Sequence, residues 1–203
     1  MSTSPTGAPK ADAAPLSTRD RILEAATELF YAQGIRAVSA DKIIERAGIT
    51  KVTFYRHFHA KDDLVVAYLE RQAEREREAL DTIRQSASGD AEAFRAFAEL
   101  IGTASRQPSF RGCAFINAAA EYSDADSGVR KVVADHRAWY RETFAGMLGG
   151  MGVTETGSAA DEVMMLRDGA MVAGYLGEAS RVGRALAAAI SAVALAHGAS
   201  AAV

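Results

Sequence analysis

Residues 39–64 constrain the fold of this chain more than any other segment. Ser39 can cap a helix, and Gly48 can adopt the left-handed conformation that ends one. Thr50 can then cap a second short helix. Apolar residues of the first helix recur three and four positions apart, at Ala40, Ile43, Ile44 and Ala47. The segment therefore predicts two short helices joined by a tight turn, which is a helix-turn-helix.

The sequence of the second helix predicts a polar outer face. Phe54 and Phe58 are four residues apart and share the inner face. The remaining side chains are largely hydrogen-bond donors, and donors of this kind suit phosphate oxygens and base edges. The spacing thus points to a nucleic-acid interface.

The segment resembles the DNA-binding domain of the tetracycline-repressor (TetR) family of bacterial transcription regulators. The resemblance is carried by a small-residue turn, an aromatic-rich helix end and a lysine that opens the next helix. Here these are Ala47-Gly48-Ile49-Thr50, Tyr55-Arg56-His57-Phe58 and Lys61. The match extends upstream through residues 18–26 and Leu29-Phe30-x-x-x-Gly34, so it covers roughly residues 17–69.

The resemblance implies which residues touch double-stranded operator DNA. Tyr55 and Lys61 would contact phosphates, and side chains at the start of the recognition helix would reach base edges. The full set of expected DNA contacts is Ser39, Thr50, Lys51, Val52, Thr53, Tyr55, Arg56, His57 and Lys61.

Two positions depart from the family pattern. Val52 stands where the family usually has a small residue, so its branched side chain could touch a thymine methyl group or block close approach. Ala60 stands where a good cap such as Ser or Asn is common, and a poor cap typically costs about 1 kcal/mol. His59 or solvent is the expected substitute for the missing cap.

Composition narrows the class of protein. The only cysteine, Cys113, cannot form an internal disulfide, the first residues lack the pattern of a signal peptide, and no run of about 20 uncharged apolar residues predicts a membrane span. Residues 1–61 carry nine Lys and Arg against six Asp and Glu, whereas residues 62–203 carry 14 against 20. We expect a cytoplasmic protein with no membrane contact, whose basic end binds phosphates.

Enzymatic motifs are absent from the sequence. It contains no Gly-rich phosphate loop, no G-x-S-x-G elbow and no H-E-x-x-H motif, and its four His residues form no cluster. We therefore expect no enzyme activity, no cofactor and no metal site.

The pattern of apolar residues predicts an all-α protein of about nine helices. We expect a disordered tail over residues 1–16, a three-helix helix-turn-helix DNA-binding domain over residues 17–63, and a helical effector-binding and dimerisation domain over residues 64–203. Small residues in the last two helices suggest a homodimer, in which two helices from each subunit form a four-helix interface.

Aromatic and Met side chains concentrate in the C-terminal two-thirds, where the resemblance implies a small-molecule effector. Such a set forms a plain core as readily as a cavity, and flexible Met side chains suit an adaptable cavity. The candidate ligand contacts are Phe97, Ile101, Cys113, Asn117, Glu121, Trp139, Tyr140, Phe144, Met164, Asp168, Met171 and Tyr175.

Two features of this set leave alternatives open. Cys113, Asn117 and Glu121 recur every four residues, so they could line a cavity or satisfy neighbouring backbone groups. Asp168 lies within a Met-rich stripe, where an unpaired buried charge is too costly. It either pairs with an Arg across an interface or faces the cavity.

The function predicted from the sequence is that of a DNA-binding transcriptional regulator, a repressor released from its operator by a small, largely apolar effector. Two alternatives remain at this stage. One is a constitutive regulator whose C-terminal helices serve only for dimerisation. The other is an enzyme or carrier with a vestigial DNA module.

Overall fold

A computed structural model describes residues 16–199, so the predicted disordered tail lies outside the described residues apart from Leu16. The described chain is all-α, as predicted. Nine α-helices follow one another within it: α1 (Thr18–Gln33), α2 (Ala40–Ala47), α3 (Lys51–His57), α4 (Lys61–Ser86), α5 (Asp90–Ser105), α6 (Ala114–Glu121), α7 (Gly128–Gly150), α8 (Thr156–Ala173) and α9 (Ala179–Ala196), with a π-helical turn, Gly174–Glu178, between the last two.

Local capping sets the bounds of the first helices. Ser17 Oγ accepts a hydrogen bond from the amide of Asp20 at the start of α1, as its S-x-x-D pattern predicts. The start of α4 differs from expectation. Its N-cap, Ala60, has no side-chain acceptor, and the Asp63 carboxylate, rather than His59, accepts from the Ala60 amide at 2.9 Å.

The helices enclose two apolar cores, and α4 contributes to both. The first core joins α1, α2 and α3 to the N-terminal half of α4 and also to α6 and the start of α7. The second core joins α5, α8 and α9 to Leu80 of α4 and to the C-terminal half of α7. The predicted domain boundary at residue 63 falls just before α4, and the first core continues past it through Leu64, Tyr68 and Phe115.

The chain reverses direction between α8 and α9. Gly177 has a φ of 105°, a conformation that favours glycine. His197 Nε2 consequently lies 3.0 Å from Glu162 Oε1, so the end of α9 returns to the start of α8. By length and composition alone the segment Thr156–Ala196 is apolar enough to cross a membrane, but it folds back as two packed helices.

Helix α9 faces the subunit's own core more than the sequence indicated. Leu186 and Ile190 are buried in the second core, whereas the sequence suggested that the last two helices form a homodimer interface. The reason is a close crossing of α9 with α5. A Cβ atom at Gly102 would lie 2.9 Å from the backbone of Gly183, so only glycine permits this approach.

Candidate functional site

The turn between α2 and α3 has the geometry that the sequence predicted. Gly48 adopts the left-handed conformation with φ 63° and ψ 45°, and its amide donates to carbonyls at the end of α2. Thr50 then caps α3 by accepting a hydrogen bond from the Thr53 amide at 3.2 Å. Arg21 Nη2 donates to the Ala47 carbonyl at 2.6 Å, which fastens the end of α2 to α1. The turn is therefore fixed by the caps of α2 and α3 and by the bond from Arg21.

Helix α3 turns one face into the core and the other to solvent. Phe54 is fully buried, and Phe58, just after the helix, is 3% exposed. Val52 is 71% exposed and Tyr55 is 41% exposed. Among the other expected DNA contacts, Lys51, Arg56 and His57 are exposed as well. A convex helix with projecting donors has the shape that enters a major groove.

Several expected DNA contacts already have partners within the chain. Ser39 Oγ caps α2 by accepting from the Lys42 amide, and the Thr50 and Thr53 hydroxyls lie 2.8 Å apart. Lys51 Nζ lies 3.5 Å from Asp41 Oδ1, but both side chains are exposed, and such pairs contribute little. Lys51 is therefore free to exchange this carboxylate for another acceptor.

Lys61 is held more firmly than the sequence indicated. Its ammonium donates to the Ile35 carbonyl at 2.6 Å and lies over the Phe30 ring. Burial lowers the pKa of Lys61. The side chain thus ties the start of α4 to the loop between α1 and α2, and an ammonium has further N–H groups for a phosphate.

A second side chain, Glu121, also binds this loop, and the sequence did not predict that contact. Glu121, the last residue of α6, accepts hydrogen bonds from the Ile35 amide at 2.9 Å and the Arg36 amide at 2.6 Å. The next residue, Tyr122, donates its hydroxyl to Asp62 Oδ1 at 2.7 Å. These partners lie 60 or more residues apart in sequence, so no local pattern predicts them. The end of α6 thus contacts the helix-turn-helix directly.

The expected ligand contacts do not line one cavity, because they fall into three groups. One group belongs to a cavity of about 190 Å³ between α4, α5, α7 and α8, which we call the Glu76 cavity. A second group belongs to a groove of about 220 Å³ between α1, α6 and the π-helical turn, which we call the junction groove. The third group lines neither of them and makes contacts within the subunit, with Trp139 and Asp168 half-buried and the others buried.

The Glu76 cavity takes Phe97, Ile101, Tyr140 and Met171 from the predicted set. Its other lining residues are Gln72, Arg75, Glu76, Ala79, Leu80, Leu100, Ala104 and Arg167. The junction groove takes Asn117, Glu121 and Tyr175, and its other lining residues are Phe30, Tyr31, Gln33, Gly34, Ile35, Tyr68, Arg111, Ala114 and Ala120.

The third group makes contacts with other side chains of the subunit. Phe144 and Met164 are buried in the second core, and Trp139 packs against Tyr140 with ring centroids 4.6 Å apart. Cys113 is buried, with its sulfur 3.1 Å from Arg167 Nη1. Asp168 follows neither alternative stated for it, because it pairs with Arg137 and Arg167 of its own subunit and lines neither the Glu76 cavity nor the junction groove.

A charged cluster, centred on Glu76 and Arg167, forms one end of the Glu76 cavity. Three groups approach the same oxygen, Glu76 Oε2: His136 Nε2 at 3.0 Å, the Tyr140 hydroxyl at 2.8 Å and Arg167 Nη2 at 3.3 Å. Arg167 also lies 3.1 Å from Asp168 Oδ1, and Asp168 Oδ2 accepts from Arg137 at 2.7 Å. Glu76 Oε1 takes part in none of these bonds.

The electrostatics of the cluster favour an ionised Glu76. Burial alone would raise the pKa of Glu76, but the bond from His136 and the charge of Arg167 outweigh burial and hold that pKa below its usual value. Burial and the neighbouring Glu76 charge raise the pKa of Tyr140, so its hydroxyl stays a donor. Among residues 16–199 no group of three or more His, Cys, Asp and Glu side chains is placed to hold a metal ion.

Known proteins resemble both the helix-turn-helix region and the whole fold of this chain. Residues 22–68 match the family described as bacterial regulatory proteins, tetR family. The crystal structure of SCO4454, a TetR-family transcriptional regulator from Streptomyces coelicolor, is 38% identical with a TM-score of 0.84, over 89% of this chain and 95% of that one.

Curated relatives match over a shorter region. The transcriptional activator FasR of Mycolicibacterium smegmatis is 38% identical over 88 residues, 40% of each chain. The transcriptional repressor KstR2 of the same organism is 34% identical over 58 residues, 29% of this chain and 28% of that protein. This chain thus spans less than half the length of the curated relatives that it matches.

Proposed function

The chain belongs to the TetR family of bacterial transcriptional regulators, and we propose that it is a homodimer released from its operator by a small, largely apolar effector. As a family member it is a DNA-binding transcriptional regulator. The observation that carries the DNA-binding role is the outer face of α3, whose exposed side chains project beyond a buried Phe54 and a fixed turn.

We assign base contacts to the start of α3 and phosphate contacts to its later residues and its flanks. Lys51→Ala and Thr53→Ala should relax the preference at particular base pairs, each by roughly 1–3 kcal/mol. Tyr55→Phe should weaken binding to all sequences alike, because a phosphate contact carries no sequence information. The measurement is affinity for a selected operator and for random duplexes. Lys131→Ala, an exposed lysine on α7, is the control. Equal effects on both duplexes would contradict this division of roles.

We propose that the homodimer interface is the outer surface of α8 and the π-helical turn. Met165 is 66% exposed and Leu176 is 73% exposed. Within Thr156–Ala196, only 22% of the most apolar 18-residue stretch is buried inside the subunit. A contiguous exposed apolar surface of this kind marks an interface. Two subunits joined there could place their α3 helices about 34–36 Å apart, the spacing of successive major grooves on one side of the duplex.

The effector site is proposed to be the Glu76 cavity. Phe97, Leu100 and Ile101 give it an apolar wall, and Glu76 Oε1 offers one acceptor at its charged end. Compact ligands with an apolar body and a single donor group fit this lining. An effector releases DNA only to the extent that it binds the released state more tightly. We propose repression as the sign of regulation, and KstR2 carries that name, whereas FasR is named an activator.

A filled-cavity variant tests the effector site. Leu100 is 44% exposed at the cavity, so Leu100→Trp should occlude it while operator affinity is retained. A screen of small apolar amines and alcohols should find compounds that release wild-type protein from the operator but not this variant. Arg95→Trp, exposed on the same helix, is the control. Trp139, the single tryptophan, contacts cavity-lining Tyr140 and should report binding by fluorescence. Release that is unchanged in Leu100→Trp would remove the effector from this cavity, and the absence of any releasing compound would favour a constitutive regulator.

A further inference from the structure

The junction groove is built from two parts of the chain that carry different functions. One wall comes from the end of α1 and the loop before α2, within the predicted DNA-binding domain. The opposite wall comes from residues 111–121 and from Tyr175, which lies in the π-helical turn. The groove is separate from the Glu76 cavity, because no residue lines both.

Most polar groups of the groove already have partners within the chain. The Tyr31 hydroxyl donates to the Gly112 carbonyl and accepts from the Arg111 amide, both at 2.9 Å. Asn117 Nδ2 donates to the Arg111 carbonyl at 2.9 Å, and each Glu121 oxygen accepts from one backbone amide. These bonds fix the walls of the groove and leave few groups to select a ligand.

Within residues 16–199, three polar groups of the groove lack a hydrogen-bond partner: the guanidinium of Arg111 and the hydroxyls of Tyr68 and Tyr175. Within the same residues the Arg111 guanidinium has no carboxylate within 4 Å, and it lies over the Tyr175 ring at 4.9 Å from the centroid. An Arg stacked on an aromatic ring has its planar edge presented for a bidentate partner, and carboxylates match that edge. The polar end of the groove therefore suits an anion.

The remainder of the groove suits a flat ring. Phe30 and Tyr68 are nearly buried beneath it, and Tyr31 and Tyr175 stand at its sides. Its volume of about 220 Å³ is below the roughly 300–1,000 Å³ of most ligand pockets, which limits the occupant to about one ring. We propose that the junction groove is a second ligand site, that it binds a compact aromatic carboxylate, and that its occupant alters DNA binding.

The alteration of DNA binding follows from the position of the groove. Ile35 lies in the groove wall, and its amide is bound by Glu121 of the opposite wall. A ring that contacts both walls depends on their separation, so it binds two orientations of the helix-turn-helix with different affinities. Linkage then requires that DNA and ligand change each other's affinity by the same factor. This regulatory part rests on the DNA-binding role of α3, whereas the binding part does not.

Calorimetric titration of the full chain without DNA tests the site. Benzoate and phenylacetate are the probes, and benzamide is the uncharged control. We expect saturable binding of the carboxylates, one per subunit, and binding of benzamide weaker by at least about tenfold. Failure of both carboxylates to bind saturably, or equal affinity for benzamide, overturns the proposal.

Paired variants locate the binding. Arg111→Gln should weaken benzoate by at least about tenfold, Arg111→Lys by less, and Arg106→Gln, another exposed arginine, not at all. Ala120→Trp should block the groove from its exposed side. Thermal unfolding of Arg111→Gln and Ala120→Trp should match that of wild type, since the side chains of Arg111 and Ala120 are exposed. Benzoate binding that survives Arg111→Gln or is lost in Leu100→Trp overturns the assignment to this groove.

Operator titration tests the regulatory part. Benzoate should change operator affinity in wild type and leave it unchanged in Ala120→Trp, and operator DNA should change benzoate affinity by the same factor. Benzoate binding with no such change overturns the regulatory part. The effector screen on the Glu76 cavity is independent, because its readout is lost in Leu100→Trp and retained in Ala120→Trp. A failure of either proposal is therefore distinguishable from a failure of the other.

Discussion

Replacing Glu76 by Ala is the strongest test of how the charged cluster stabilises the fold. The carboxylate oxygen Oε2 lies within hydrogen-bond reach of groups on His136, Tyr140 and Arg167. Arg167 and His136 are buried, so each loses a protein acceptor for which only water in the Glu76 cavity can substitute. The substitution therefore leaves a buried cation with one carboxylate fewer and two further polar groups without an acceptor.

The size of the effect follows from the partners that remain. Breaking a buried ion pair from one side costs about 3–5 kcal/mol. Asp168 stays 3.1 Å from Arg167, so we expect Glu76→Ala to lose about 3 kcal/mol rather than the upper value. Glu76→Gln keeps an acceptor oxygen and should cost less.

Urea unfolding followed by circular dichroism, at one fixed protein concentration, measures the loss. Glu74→Ala is the matched control on the same helix. Its pair with Arg77 is 3.7 Å long and its own side chain is 63% exposed, so the expected cost is about 0–1 kcal/mol. The reasoning is refuted if the two variants lose equal stability. Arg167→Met in the Glu76→Gln background should restore part of the loss, since it removes a buried cation that has lost one of its two carboxylate partners, while Asp168 keeps its pair with Arg137.

Three further predictions concern pH, the turn and the interface. Because the folded pKa of Glu76 lies below its usual 4.5, its stabilisation is present above that pH and is lost as pH falls through the folded value, so wild type and Glu76→Gln should converge in acid urea titrations. Gly48→Ala should cost about 1–2 kcal/mol, because the left-handed backbone is strained while the new Cβ would meet Arg21 only at an ordinary 3.6 Å, and unchanged unfolding would contradict this. A Cβ atom added at Gly169 would meet no heavy atom within 4 Å inside the subunit, so Gly169→Trp should fold and yet sediment as a monomer, and a persistent dimer would place the interface elsewhere.

The helix-turn-helix could be predicted from sequence because each of its determinants is local. Ser39, Gly48 and Thr50 act on backbone groups within a few residues, and the buried spacing of Phe54 and Phe58 is visible in the sequence itself. Each of these expectations is confirmed by the capping bonds and burial described above. Local signals of this kind need no knowledge of tertiary contacts.

The ligand-binding residues could not be predicted in the same way. Periodicity identifies an apolar face but does not say whether the face meets another helix or a cavity. Phe144 and Tyr140 lie on one face of α7, yet only Tyr140 lines the Glu76 cavity. The contacts of Glu121 and Asp168 depend on groups up to 86 residues away. The structure distributes the predicted residues over the Glu76 cavity, the junction groove and the subunit's own packing contacts, and this division depends on tertiary contacts that periodicity does not reveal.

Helix α4 offers a mechanical link between the Glu76 cavity and the helix-turn-helix. Glu76 lies 15 residues after Lys61, which corresponds to about 22 Å at 1.5 Å per residue. A tilt of about 5° around Glu76 would move Lys61 by about 2 Å, enough to break its 2.6 Å bond to the Ile35 carbonyl.

This link predicts a local response to effector. Opening of the Lys61 bond would remove one of the two side chains that hydrogen-bond to the loop between α1 and α2, and Glu121, whose carboxylate accepts from the Ile35 and Arg36 amides, would remain as the other. Effector binding at the Glu76 cavity should therefore speed hydrogen exchange at these two amides, since protection reflects the free energy of local opening. Amides in the middle of α1 are the internal control and should exchange as before. Effector binding that leaves the loop amides equally protected would show that α4 does not carry the signal through Lys61.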